Sequence, residues 1–181
     1  MSNDIISLRY AKGLFLSLPK DYLEEVEEQL LAFSDAMDNI SFLKKIFADP
    51  AFSFEKKLKV LHEISKKYQQ NMILNNFLCL LLSKNRIVLI KNIARDFSNL
   101  LDKEKNRLRV TIKSASDLSA DYVQLIKENL SKTLNKNVIS NCVLDKSLLA
   151  GVRIETSSMV FDASIKAKLN SLQKNVLKQI I

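Results

Sequence analysis

Few residues in this chain have both the type and the spacing to do chemistry. The single histidine, His62, stands beside Glu63 in Leu61-His62-Glu63-Ile64, which resembles the opening of a zinc-protease helix. Such a helix needs a second histidine one turn on to complete the ligand pair, and none follows. The same shortage leaves every serine and both cysteines without a base, so no nucleophile has a partner to activate it. Cys79 and Cys142 have neither Cys-x-x-Cys spacing nor a neighbouring histidine. That argues against zinc and reads as two small buried thiols in a reducing compartment. Glu24, Glu25, Glu27 and Glu28 point around more than half the circumference of a helix, which suits a solvated face better than a cation site. The two glycines, Gly13 and Gly151, are too few for a phosphate-cradling loop, which needs several residues free of Cβ. No catalytic residue, metal ligand or cofactor site is expected.

The elements around these residues divide the chain in two. Its 181 residues allow one large domain or two small ones, and 47% hydrophobic with 27% charged residues is an ordinary globular composition. The start, Met1-Ser2-Asn3-Asp4, has neither the basic and apolar regions of a secretory signal nor the look of a transit peptide. The longest apolar run, Phe77 to Leu82, falls far short of the ~20 residues that cross a bilayer. A chain that stays in the cytosol or on the cytosolic face of a membrane is expected.

Residues 1–105 read as six helices joined by short loops, a compact bundle. The first runs from Asp4, as N-cap, through Ile5, Leu8, Ala11, Phe15 and Leu18, ending before Pro19. The second covers Lys20 to Met37, with its acidic residues early, where they suit the helix dipole. The third runs from Ser41 to just before Pro50, and the fourth is capped by Ser53. The fifth spans Asn71 to Ser83 and is apolar on nearly every side. The sixth, from Arg86 to Lys105, carries Ile90, Ile93, Phe97 and Leu101 on one stripe. The first helix also has Ile6, Tyr10 and Leu14 beside its main stripe. This surplus of apolar surface on the first and fifth helices means either deep burial or a groove for another helix.

The grammar changes at Asp102–Arg107. Leu108, Val110 and Ile112 alternate with Arg109, Thr111 and Lys113, the period of a half-buried strand. A helix from Ser119, strands at Val138–Leu144 and Val152–Thr156, and a last helix from Asp162 follow. That last helix carries Ile165, Leu169, Leu172, Val176 and Ile180 on one stripe. Residues 106–181 are thus expected to form a small βαββα module, so the whole chain is α+β. Charge is uneven: residues 1–105 carry +2 and residues 106–181 carry +6 of the net +8. A basic adaptor binding nucleic acid through residues 106–181 is therefore the alternative reading. It lacks stacking partners, because Tyr122 and Phe161 are the only aromatics after residue 106. The last helix, with Lys166, Lys168, Lys174 and Lys178, is expected to pack on its own sheet or a partner rather than lie on a membrane, since it has no Trp or Phe anchor.

Several stretches, in order along nearly the whole chain, resemble the δ subunit of the bacterial F-type ATP synthase, the oligomycin-sensitivity-conferring protein family. Arg9-Tyr10-Ala11-Lys12-Gly13-Leu14-Phe15 is similar to the family's Tyr-Ala-Lys-Ala-Leu-Phe helix. Asn76-Phe77-Leu78-Cys79-Leu80-Leu81-Leu82 followed by Asn85-Arg86 is similar to its Asn-Phe-Leu helix end, and Ser114-Ala115 to its strand-to-helix turn. Asp145-Lys146-Ser147-Leu148-Leu149-Ala150-Gly151-Val152 and Asp162-Ala163-Ser164-Ile165 resemble two of its turns. Ala150, Ala163 and Asn106-Arg107 stand where the family often has glycine. The resemblance implies a non-enzymatic stator connector without cofactor or metal. Its helical domain, 1–105, would bind N-terminal helices of the headpiece α subunits, and 106–181 would bind the b subunits of the peripheral stalk. It would sit peripherally at the cytoplasmic face of the bacterial inner membrane, through the complex, with no homo-oligomer and no nucleic acid. Tyr10, Ala11, Leu14, Phe77, Leu78 and Leu81 are the residues expected to line the α-subunit groove, with Leu14→Glu as a fold-neutral probe of it. Asp145, Gly151 and Asp162 are expected to shape turns.

Overall fold

The computed structural model describes residues 2–49, 51–68, 70–148, 150–156, 159–165, 167 and 169, and the chain is α+β. It divides into two compact units, Met1–Leu101 and Asp102–Ile181.

The first unit is helical: α1 (Ser2–Ser17), α2 (Leu23–Asn39), α3 (Ser41–Ala48), α4 (Phe54–Lys67), α5 (Met72–Ser83) and α6 (Ile90–Glu104), the last running on past Leu101. Three starts differ from the sequence expectation. Helix α1 begins at Ser2, so Asp4 lies in its first turn instead of capping it. A single 3-10 turn, Lys20–Tyr22, precedes α2, closed by the Tyr22 N–H donating to the Pro19 carbonyl at 3.1 Å. A second 3-10 turn, Ile87–Leu89, delays α6 in the same way. Ser53 caps α4 by accepting the Lys56 N–H, and Asn71 caps α5 by accepting the Ile73 N–H. The core is built from Leu14, Val26, Leu30, Leu61, Leu74, Leu78, Leu81, Ile93, Phe97 and Leu101, all essentially sealed from water. The apolar richness of α5 has its reason here: five of its side chains, Leu74, Phe77, Leu78, Leu81 and Leu82, are buried.

One polar contact pins α1 to α6. The buried Ser7 hydroxyl donates to Asp96 Oδ2 at 2.6 Å, and Arg95 Nη2 lies between Asp96 Oδ1 (3.3 Å) and Asp4 Oδ1 (3.5 Å). A buried carboxylate is tolerated only with such partners. The Phe15 and Phe97 rings meet edge-on at 5.6 Å beside it.

The second unit holds β1 (Arg107–Ser114), α7 (Ala120–Leu134), β2 (Asn137–Leu144), β3 (Val152–Thr156) and β4 (Val160–Asp162). The sheet order is β2-β1-β3-β4, with β1 parallel to β2 and antiparallel to β3, and β3 antiparallel to β4. Strand β4 corrects the βαββα expectation: residues 160–162 return along β3 before any final helix. Thr156 and Met159 close that hairpin by two reciprocal bonds of 2.8 Å. Three residues are too few to show a period, so the strand left no pattern in the sequence. The stripe Leu172, Val176, Ile180 and the lysines at 166, 168, 174 and 178 lie outside the described residues. Left-handed backbone at Asn106 (φ 48°) and Asn135 (φ 51°) turns the chain into β1 and out of α7. Asparagine tolerates that region better than other non-glycine side chains.

Candidate partner interface

Helices α1 and α5 meet at Tyr10 and Phe77, whose rings lie edge to face at 6.3 Å. The structure brings all six sequence-predicted groove residues into this neighbourhood, but seats most of them inside. Ala11, Leu78 and Leu81 are fully buried, and Leu14 is 2% exposed. They join the helices to the core and offer nothing to a partner. Leu14→Glu is therefore no neutral probe, because it would bury an unpaired carboxylate. Tyr10, half-buried, and Phe77, 8% exposed, reach the outer side of the seam.

Of the residues flanking that seam, only Ile6 was noted from the sequence, as surplus apolar surface on the first helix. Helical spacing puts Ile6, Tyr10, Gly13 and Ser17 on one side of α1, and Ile73, Phe77, Leu80 and Lys84 on one side of α5. Ile6 and Ile73 are half-buried, while Gly13, Ser17 and Lys84 are exposed and Leu80 is 46% exposed. A Cβ built on Gly13 would meet nothing within 4 Å, so this glycine leaves open backbone beside an apolar floor. A helix could approach closely there.

Arg86 closes one end of the seam. Asn85, left-handed at φ 53°, ends α5 in a Schellman turn. The Arg86 N–H donates to the Leu81 carbonyl at 2.8 Å and the Asn85 N–H to the Leu82 carbonyl at 3.0 Å. The turn carries the guanidinium over the Tyr10 ring, with Cζ 5.5 Å from the centroid, and Nη1 donates to the Tyr10 hydroxyl at 2.8 Å. The sequence holds the Asn-Arg pair in plain view, yet nothing local links it to a tyrosine on α1.

A second apolar groove, of about 960 Å³, lies between α2 and α4, floored by Ala32, Ala36, Val60 and Ile64 and edged by Glu28, Lys59, Glu63 and Lys67. Nothing in the sequence pointed to it, since each helix shows only one ordinary stripe. His62 is exposed on the outside of α4. In the acidic run of α2, Glu27 turns inward and is 7% exposed, contrary to the solvated face expected of all four. Among the described residues, no three His, Cys, Asp or Glu side chains gather as a metal site requires, and no helix is long and apolar enough to cross a membrane.

In the second unit, Asp145 and Asp162 each accept a backbone N–H two residues on, from Ser147 and Ser164, both at 3.0 Å. Hydrogen bonds from Ser147 hold the Asp145 carboxyl below its ordinary pKa. Gly151 has φ 96°, and a Cβ there would come within 2.7 Å of the Ala163 carbonyl oxygen. Three basic residues of the sheet are paired with acids. Arg109 binds Asp102 at 2.7 Å, Lys113 binds Glu155 at 2.8 Å, and Arg153 lies 3.3 Å from Glu155. That leaves these strand cations poorly placed to hold phosphates. Cys142 is exposed on edge strand β2, correcting the expectation of two buried thiols; Cys79 is half-buried, and burial raises its thiol pKa.

Comparison with known proteins adds to this geometry. Residues 6–176 match the family described as ATP synthase delta (OSCP) subunit. The ATP synthase subunit delta of Desulfosudis oleivorans is 32% identical over 179 residues, covering 98% of each chain. That of Syntrophus aciditrophicus is 32% identical over 182 residues, covering both chains in full, and that of Myxococcus xanthus is 31% identical over 182 residues. A chain of the Toxoplasma gondii mitochondrial ATP synthase hexamer shares the fold, with a TM-score of 0.73 at 22% identity over 94% of this chain and 97% of that one.

Proposed function

Because the chain belongs to the ATP synthase delta (OSCP) family, a non-catalytic subunit of that complex, we propose that it is the connector between the catalytic headpiece and the peripheral stalk. Residues 1–105 bind N-terminal helices of the headpiece α subunits, and residues 106–181 bind the b subunits. Held this way at the cytoplasmic face of the bacterial inner membrane, the headpiece stays still while the rotor turns, so proton flow drives ATP synthesis. A stator contact needs slow dissociation more than chemistry, and buried apolar helix contacts supply that mainly through the off-rate.

The observation that carries this reading is the outer seam of α1 and α5. Tyr10 and Phe77 floor it, Ile6, Ile73 and Leu80 wall it, and the bare backbone of Gly13 lies beside it. An amphipathic α-subunit helix fits such a surface. The test is co-sedimentation of the chain with headpiece stripped of its own delta subunit, for the parent and for Gly13→Leu. Leucine is favoured over glycine in a helix interior by about 1 kcal/mol, and the space at Gly13 is open. Gly13→Leu should therefore be at least as stable as the parent, while its side chain fills the seam and lowers headpiece affinity by about tenfold or more. Undiminished binding by a folded Gly13→Leu would place the contact elsewhere.

A further inference from the structure

We propose that Arg86 selects an acidic side chain on the helix that docks between α1 and α5; the proposal rests on the docking reading above and gives the docked helix its chemistry. The charge around the seam is one-sided. Helix α5 has no charged residue from Met72 to Ser83. Helix α1 exposes Arg9 and Lys12, and its one acid, Asp4, lies against Arg95. Just past α5 stand Lys84 and Arg86, both exposed.

Arg86 is the best placed of these cations. Its backbone is fixed by the Schellman turn at Asn85, and its guanidinium is parked on the Tyr10 ring with one donor spent on the tyrosine hydroxyl. The guanidinium has five donors in a planar fork, and no carboxylate among the described residues pairs with it. A cation already held in place loses little side-chain entropy when a carboxylate arrives. When an apolar helix covers the seam and excludes water, the same cation is left poorly solvated unless the helix brings an acid. Arg86 thus favours an α-subunit helix with a carboxylate near the end of α5 and disfavours a neutral or basic one.

The experiment measures affinity for stripped headpiece at low and high salt, using the full chain and its Arg86→Gln and Arg86→Glu variants, with circular dichroism confirming the fold of each. Arg86→Glu should bind about tenfold or more weakly, with Arg86→Gln between it and the parent, and the variants should lose most of the parent's salt dependence. Headpieces in which each acid of the α-subunit N-terminal segment is changed to Lys should include one that restores binding to Arg86→Glu. If parent and Arg86→Glu bind alike, the proposal fails while the docking reading stands. If Arg86→Gln and Arg86→Glu weaken binding equally and no Lys headpiece restores it, Arg86 is only a clamp on Tyr10 and the proposal is overturned. If the parent itself does not bind, the docking reading falls and this inference falls with it.

Discussion

Tyr10 spans the core and the surface of the helical unit. Its ring closes the core against Phe77, and its hydroxyl holds Arg86 at the surface. Four residues on, Leu14 does only the first of these jobs. Leu14→Ala should lower the stability of the helical unit by about 2–5 kcal/mol, as a buried leucine removed from a close-packed core does. Any headpiece binding lost should return in proportion to the folded fraction, read from urea titrations by circular dichroism. A folded Leu14→Ala protein that binds poorly would mean that Leu14 touches the partner. The cysteines give a second check at this scale. The exposed Cys142 should react with a thiol reagent in the native state well before Cys79, whose raised pKa and partial burial keep it protonated and shielded. Peptide mapping of the first-labelled site decides it.

Among the elements, the turns of the sheet unit bear the sharpest constraint. Gly151→Ala would force a Cβ into left-handed backbone and into the Ala163 carbonyl. It should destabilise that unit by about 1–3 kcal/mol, whereas Gly13→Ala should not destabilise α1. Asp145 adds a pH dependence with a definite sign. Its folded pKa is depressed, so its contribution to stability is present above the ordinary aspartate pKa and is lost as pH falls through the depressed value. Asp145→Ala should flatten the acid limb of stability against pH, measured by thermal melts, without affecting the neutral limb in the same proportion. A parallel shift at every pH would deny the carboxylate this role. The helices were legible because their apolar residues recur at the helical period, most plainly Ile90, Ile93, Phe97 and Leu101 on α6, all buried as their spacing implies. Periodicity could not say whether the excess on α5 faces the core or a partner, and burial gives five of its positions to the core. Strand β4 was hidden by its length. The Tyr10–Arg86 pair was hidden by the 76 positions that separate its members, which only a fold brings together.

At the scale of the molecule the two units differ in what holds them. Among the described residues, twenty-one buried apolar ones form one cluster in the helical unit. Among the described residues after Asp102 only Val110, Ile112 and Leu148 are buried and apolar, and α7 buries none of its side chains. In the connector role proposed above, a partner would stabilise whatever unit it binds. The sheet unit should thus be the less stable in isolation. In native-state hydrogen exchange, the amides of β1, which is paired with β2 and β3, should be the slowest of their unit, yet should exchange before those in the middle of α5 and α6. Adding b subunits at about 100 times their dissociation constant should slow the sheet amides by the equivalent of about 2.7 kcal/mol and leave α5 unchanged. Adding headpiece should do the reverse, protecting α1 and α5 and sparing β1. Exchange from β1 as slow as from α5 in the free chain would show that the small core suffices without the stalk, and the sheet unit would then have no stability to gain from its partner.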